Sequence, residues 1–314
     1  MKGIISIPQA VSKKSTRTSI FFRNRSLYLM ILPALLFYLI FCYLPMYGIT
    51  IAFKEMSITK GIIGSPWIGM KYFEEVFRDH NFWVPLRNTV IISLYKLAIA
   101  FPFPIVLALL MNEMLNARFK KLIQTVLYLP RFISWVIVSG LLMNLLSVNG
   151  GVVNAVIEAL RIEPVNFFAT KSLARGLVVV TAIWKEAGWG SIIYMAALAS
   201  INPELYEAAT MDGAGRWRQM WNVTLPSIRP MIVIMLILSI GNIMNANFEQ
   251  IFVLYHPLVY EKIDIIDTFV YRMGIVNGRL SYSTAVGLFK SVVSMVLVLG
   301  ADRLSKKLGE NGLL

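Results

Sequence analysis

Histidine, cysteine and charge are all scarce in this 314-residue chain, and each scarcity removes a class of function. His80 and His256 are the two histidines, too few for a zincin helix or any histidine-based metal cluster. The single cysteine, Cys42, has no partner for an intrachain disulfide and sits in an apolar run, where a small buried filler is expected. No paired-carboxylate motif of a hydrolase is present. Charged residues make up 15% of the chain against 57% hydrophobic ones, with a mean hydropathy of +0.66. Soluble domains do not have this balance. The net charge of +13 is what cationic loops at one membrane face produce, so no nucleic-acid partner is inferred from it.

What is present in quantity is apolar sequence in runs long enough to cross a bilayer, about 20 residues each. The runs predict six spans, near Leu27–Phe53, Leu86–Met111, Leu122–Leu146, Leu173–Leu198, Ser227–Gln250 and Tyr282–Leu304. The first begins too late and runs too long for a cleavable signal core, so it is expected to stay as a span. Pro33, Pro45, Pro102, Pro104 and Pro130 fall inside spans and predict kinked, closely packed helices. The organisation expected is a basic tail over 1–26, a six-span domain over 27–304 and a short terminus over 305–314. Lys2, Lys13, Lys14, Arg17, Arg23 and Arg25 crowd that tail, and the loops on its side hold more Lys and Arg than those opposite. Both termini and the loop over 201–226 are therefore expected in the cytoplasm. Of the opposite loops, 148–162 carries the pattern of a short interfacial helix, and 251–281 is long and Tyr-rich.

The longest structured interruption between the later spans is Ile201–Pro230. Asn202 is a good N-cap, Pro203 suits the first helical position, and Glu204 and Glu207 favour the positive end of the helix dipole. Asp212-Gly213 ends that helix as a turn, and Ala208 and Ala209 leave a smooth surface for close approach. A short capped helix between spans reads as a docking element.

Polar groups inside spans are costly unless they face one another or water. At about 100° per residue, Ser239, Asn242, Asn245, Glu249 and Gln250 fall within an arc of about 140° on the fifth span. Two readings fit: hydrogen bonds between helices, or the lining of a pathway for a hydroxyl-rich solute. The fourth span carries Trp184-Lys185-Glu186-Ala187-Gly188-Trp189-Gly190. Lys185 and Glu186 either neutralise each other near the interface or, with the face of Trp189, suit a sugar ring. Lys290 in the sixth span is a further charge, within reach of Glu249 or Glu186. Gly287-Leu288-Phe289-Lys290-Ser291 lacks the glycine before lysine of a phosphate loop, and Asn222-Val223-Thr224 is a glycosylation sequon by pattern only.

Glu207-Ala208-Ala209, Asp212-Gly213-Ala214 and Val223-Thr224-Leu225-Pro226 together resemble the EAA loop of ABC importer permeases, with Val223 in place of the usual Ile. Tyr128-Leu129-Pro130 extends the resemblance to the carbohydrate-uptake, maltose permease-like family. Leu44-Pro45-Met46-Tyr47-Gly48, the Trp184–Gly190 segment and Phe248-Glu249-Gln250-Ile251-Phe252-Val253-Leu254-Tyr255 resemble the branch serving oligo- and polysaccharides through a surface lipoprotein. The resemblance implies an all-α membrane protein with the type I importer permease fold, in a bacterial cytoplasmic membrane. It implies a second homologous permease subunit, two cytoplasmic ATPases that bind ATP and Mg, an extracellular solute-binding lipoprotein and surrounding membrane lipids. This chain would then hold no cofactor and catalyse nothing. Glu207, Ala208, Ala209, Asp212, Gly213, Ala214 and Trp217 would form the ATPase-coupling surface. Alignment on the EAA glutamate puts solute contacts at Lys185, Glu186 and Trp189 and around Asn242 to Asn247, beside Ser239, Glu249 and Gln250. Rival readings are a permease for a peptide or polyol, and a membrane-bound glycan-processing enzyme.

Overall fold

In the computed structural model, residues 25–307 are described; most of the predicted basic tail and the last residues of the C-terminal segment lie outside them. The described chain is helical, apart from one isolated β-bridge between Lys54 and Trp67. It divides at Thr50–Ile51 into two compact units. The first holds nearly all of α1 (Arg25–Phe53), whose apolar side chains, Leu29, Met30 and Phe41 among them, are exposed. Cys42 is exposed on it too, correcting the expected buried filler.

The second unit contains α2 (Lys71–Arg78), α3 (His80–Asn112), α4 (Ala117–Phe132), α5 (Trp135–Leu145) and α6 (Val152–Ala159). There follow α7 (Lys171–Ala199), α8 (Pro203–Met211), α9 (Arg216–Gly241), α10 (Phe248–Leu254), α11 (Tyr260–Ile263), α12 (Ile266–Tyr271) and α13 (Leu280–Lys307). Five helices, α1, α3, α7, α9 and α13, are long and apolar enough to cross a membrane, and α4 with α5 makes a sixth candidate if the pair is one span. Prolines shape several of them. Just before Pro45, Pro102 and Pro226 the backbone widens, with Leu44 N–H reaching Leu39 O, Phe101 N–H reaching Lys96 O and Leu225 N–H reaching Met220 O. Proline donates no hydrogen bond and crowds the preceding turn, and a one-residue widening relieves both.

Two predicted spans are broken. The third, expected as one run over Leu122–Leu146, turns by 103° between α4 and α5. Pro130 starts the break, and Ser134 restarts the helix by accepting from Ile137 N–H. The fifth, expected to reach Gln250, stops at Gly241; Asn242–Asn247 is irregular before α10 begins. Gly241 and the closely spaced asparagines explain this, because asparagine side chains compete for backbone hydrogen bonds. Asn247 adopts φ +69° and caps α10 by accepting from Gln250 N–H. The single polar arc computed for a continuous helix is thereby split into two separately oriented pieces.

The 251–281 region, expected as a long loop, is largely helical: it holds the end of α10 and all of α11 and α12, with α11 and α12 packed on α3 and α12 also on α13. Its Asp264 pairs with Arg272, at 2.6 Å, and accepts from Tyr255 at 2.7 Å. Burial first, and then the Asp264 carboxylate, push the Tyr255 hydroxyl well above its ordinary pKa. Lys290 meets neither Glu249 nor Glu186 but Asp267 on α12. One apolar cluster joins Ala52, Val76 and Phe82 to Phe269 and Tyr282, a second joins Ile92 and Val178 to Ile251 and Ile265, and a third joins Ala108 and Tyr194 to Ile228.

Helix α7 is the post on which the second unit is built, contacting α3, α4, α9, α10 and α11. At Gly188 it meets α4 so closely that an added Cβ would lie 2.1 Å from Leu127 O. Gly188→Val is expected to destabilise the protein by more than the roughly 1–3 kcal/mol typical of overpacking, because the obstacle is backbone. Gly176→Ala, where an added Cβ meets nothing within 4 Å, is the control. Thermal unfolding of the detergent-purified variants reads both; a wild-type midpoint for Gly188→Val would show that the helices are not in this contact.

Candidate functional site

Two regions hold the residues singled out from sequence. The first is the segment after α7. Asn202 Oδ1 accepts from Glu204 N–H at 3.1 Å, and Pro203 occupies the first helical position of α8. At the other end Gly213 takes φ +73°, Gly213 N–H bonds Thr210 O and Ala214 N–H bonds Ala209 O. This is a Schellman stop, and its left-handed residue is what glycine supplies at least cost. Glu207, Ala208, Asp212 and Gly213 are exposed, with Ala209 and Ala214 half-buried behind them. Exposed large apolar side chains flank this face: Leu205 at 48%, Met211 at 89% and Trp217 at 75%. The helix is braced from behind, because Gln219 Nε2 donates to Thr210 Oγ1 and Ala214 O, and the Tyr206 and Thr224 hydroxyls share a hydrogen bond. Gln219 and Thr224 belong to α9, so α8 is fixed to the start of a helix that runs on to Gly241.

The second region lies at the other end of α9. A cavity of about 550 Å³ is bounded by α3, α7 and α9 with the irregular segment after it. Glu186, Ser239, Asn242 and Asn245 line it, together with Lys96 and Ser93 of α3. Asn242 Nδ2 donates to Leu238 O, leaving its amide oxygen for other donors. The Glu186 carboxylate accepts from Asn247 Nδ2 at 3.2 Å. Its second oxygen and the asparagine amides give the wall both acceptors and donors, the set that a polyhydroxylated solute needs.

Other sequence candidates go elsewhere. The Lys185 ammonium is buried, donating to Pro130 O and Arg131 O at 3.3 Å and to Ile133 O, with the Trp135 ring 5.3 Å away. It closes the bend between α4 and α5, whose terminal carbonyls have no helical donor. It does not pair with its neighbour Glu186. Trp189 is 43% exposed and packs edge-on against Phe132 rather than lining the cavity. Gln250 is fully buried: its Nε2 donates to Val178 O at 2.6 Å and Thr181 Oγ1 at 2.8 Å, while its Oε1 accepts from Lys96 Nζ at 2.6 Å. Glu249 is exposed on α10.

Lys96 escaped the sequence reading. It lines the cavity, and its ammonium also donates to Ala246 O in the irregular segment, at 3.0 Å. Its signal was available as a cation deep inside the second apolar run, which is as costly as the one noted at Lys290.

Residues 100–310 match the family model described as "Binding-protein-dependent transport system inner membrane component". The chain is 46% identical over 311 residues to "Polygalacturonan/rhamnogalacturonan transport system permease protein YteP" of Bacillus subtilis (strain 168), covering 98% of this chain and 97% of that one. It is 47% identical over 291 residues to "Protein LplB" of the same strain, covering 93% and 92%. Among solved structures it resembles a chain of "bacterial alginate ABC transporter in complex with alginate pentasaccharide-bound periplasmic protein", with TM-score 0.87 and 39% identity over 95% of this chain and 99% of that chain. Its length of match, identity and fold agree, and the chain belongs to the family of binding-protein-dependent transport system inner membrane components, the non-catalytic, multi-pass permease subunits of ABC transporters.

Proposed function

We propose that this chain forms half of the translocation pathway of an ATP-driven importer for oligosaccharides or polysaccharide fragments. The observation that carries the reading is mechanical. A capped, exposed helix, α8, is braced onto α9, whose far end brings Ser239, and just beyond it Asn242, to a largely apolar cavity with a few polar groups on its wall. In this reading six spans cross the membrane, with α4 and α5 as one bent crossing and both termini in the cytoplasm. The segment 201–226 couples to the ATPases. The basic 1–26 tail would anchor the first span, and 305–314 would lie on the same side.

Two cytoplasmic ATPases would bind ATP and Mg, and one would receive α8 in a groove. Glu207 would meet a basic residue there; Ala208, Ala209, Gly213 and Ala214 would allow close approach, with Asp212 and Trp217 at the rim. A second homologous permease would complete the pathway, and an extracellular binding lipoprotein would deliver solute. Closure of the ATPases would then tilt α9 and change access to the cavity. The cargo named for the first relative and for the alginate transporter supports a glycan substrate. The cavity supports it too, since Glu186, Asn242, Asn245 and Ser239 suit hydroxyl groups and Lys96 adds a cation suited to sugar carboxylates.

Four outcomes are expected. Glu207→Lys reverses the charge on the docking face and should lower glycan-stimulated ATP hydrolysis tenfold or more while the complex still assembles, read by size-exclusion chromatography and phosphate release. Normal stimulation in that variant would remove the docking assignment. Gly213→Val places a β-branched residue at φ +73°, at a cost of about 1–2 kcal/mol in the Schellman stop, and should weaken coupling in the same assay. Asn242→Ala and Glu186→Gln should each cut uptake about tenfold without loss of assembly, the effect of one hydrogen bond to a charged or polar solute. Lys185→Met and Gln250→Leu should lower assembly and uptake together, because both side chains satisfy buried groups. If the two pairs behave alike, the division between pathway and scaffold fails.

A further inference from the structure

We infer that a second cavity, which shares only Ile183 with the first, is a binding site for an anionic phospholipid. This cleft of about 400 Å³ lies at the N-terminal end of α7, on the opposite membrane face from α8. Seven residues of α7 line it: Lys171, Ser172, Arg175, Gly176, Val179, Val180 and Ile183. Their alternating steps of one and three place them on one stripe of a helix. The stripe is graded. Its first members are cationic or hydroxylic, its middle is a glycine, and its last three are apolar.

The partners across the cleft have the same grading. Lys262 joins the cationic end, and Tyr95 and Ile99 of α3 line it with Val180; all three are exposed, at 44%, 48% and 63%. Gly176 leaves the floor open, with nothing within 4 Å of an added Cβ. From Lys171 to Ile183 the helix rises about 18 Å, close to the roughly 15 Å of one leaflet's hydrocarbon. A groove with a basic head, an open floor and a lipid-exposed apolar tail has the form of one phospholipid.

Charge complementarity selects the headgroup. Lys171 and Lys262 share one carboxylate, Glu261, at 2.7 and 3.4 Å. Hydrogen bonds from Lys171 and then Lys262 hold that carboxyl below the usual carboxylate range, so it stays ionised. Arg175 donates to Lys262 O and Asn88 Oδ1, both neutral, and has no carboxylate partner among the described residues. Three cations thus face one anion, and the surplus suits a phosphodiester. Arg175 is held rigidly by those two bonds with its remaining N–H groups available, which is the preorganised part of the site.

The test is native mass spectrometry of the purified membrane complex in detergent, titrated with phosphatidylglycerol and phosphatidylcholine of matched chains. Wild type is expected to retain phosphatidylglycerol preferentially. Lys171→Gln with Lys262→Gln should reduce that preference by about fivefold per cation removed. Glu261 is half exposed, so losing both partners leaves water to solvate it and the fold intact. Gly176→Leu fills the groove without altering charge and should lower occupancy by both lipids. Unchanged selectivity in the double variant, or unchanged occupancy in Gly176→Leu, would overturn the assignment. So would displacement of the bound lipid by soluble glycerol phosphate, which would make this a small-anion site. Disulfide trapping of Val180→Cys to a neighbouring subunit, in place of lipid binding, would show that protein covers the groove and would also overturn it.

Discussion

A helix that breaks inside a membrane leaves carbonyls that no water satisfies, and the second unit of this protein is arranged around meeting that demand. Two of its predicted crossings are interrupted, and each interruption is met by a lysine from a neighbouring helix. Lys185 of α7 reaches the carbonyls of Pro130, Arg131 and Ile133 at the α4–α5 bend. Lys96 of α3 reaches Ala246 O in the segment after α9 and holds Gln250, which in turn ties down Val178 O and Thr181 on α7. An ammonium has three donors and no acceptor, which suits it to converging carbonyls. Buried cations of this kind are expensive alone; the carbonyls ending α4 offset that cost for Lys185, and Ala246 O with Gln250 Oε1 offsets it for Lys96.

The second break shapes the cavity wall. Were α9 to continue through Gln250, its polar residues would occupy one stripe of a rigid rod. Ending it at Gly241 sets Asn242 and Asn245 at the cavity and sends Gln250 into the scaffold, while Asn247 both caps α10 and contacts Glu186. The same irregular backbone that needs Lys96 therefore builds the cavity wall, and Lys96 belongs to both. A displacement of α9 from its α8 end would be felt first at this junction, because the chain changes from helix to irregular segment there.

Much of this was legible in the sequence. Helical class, apolar runs, the N-cap at Asn202 and the stop at Gly213 follow from local chemistry, and local chemistry is what short motifs encode. The breaks were partly signalled, by Pro130 and by the Gly241 and asparagine cluster, but apolar composition continues through both and hid them. The partners of Lys185, Lys290 and Gln250 were not legible. Each is decided by packing: for Lys290 the sequence offered Glu249 and Glu186, and the fold brings Asp267 to it instead. Lys96 was overlooked because one lysine barely lowers the hydropathy of its run.

Lys185 and Glu186 show most directly why adjacency misled. Successive helix residues point about 100° apart, so two neighbours on a helix packed on several sides serve different neighbours. On α7, position 185 faces the α4–α5 bend, 186 faces the cavity, 178 and 181 face Gln250, and the stripe from 171 to 183 faces the basic cleft. A helix with one buried face would show a single amphipathic stripe. This one has a different chemical demand on each side, and its mixture of Lys, Glu, Thr, Trp and Gly is the sum of those demands. The polar content of α7 therefore measures how many structures lean on it, and Glu186 is the carboxylate that it gives to the cavity wall.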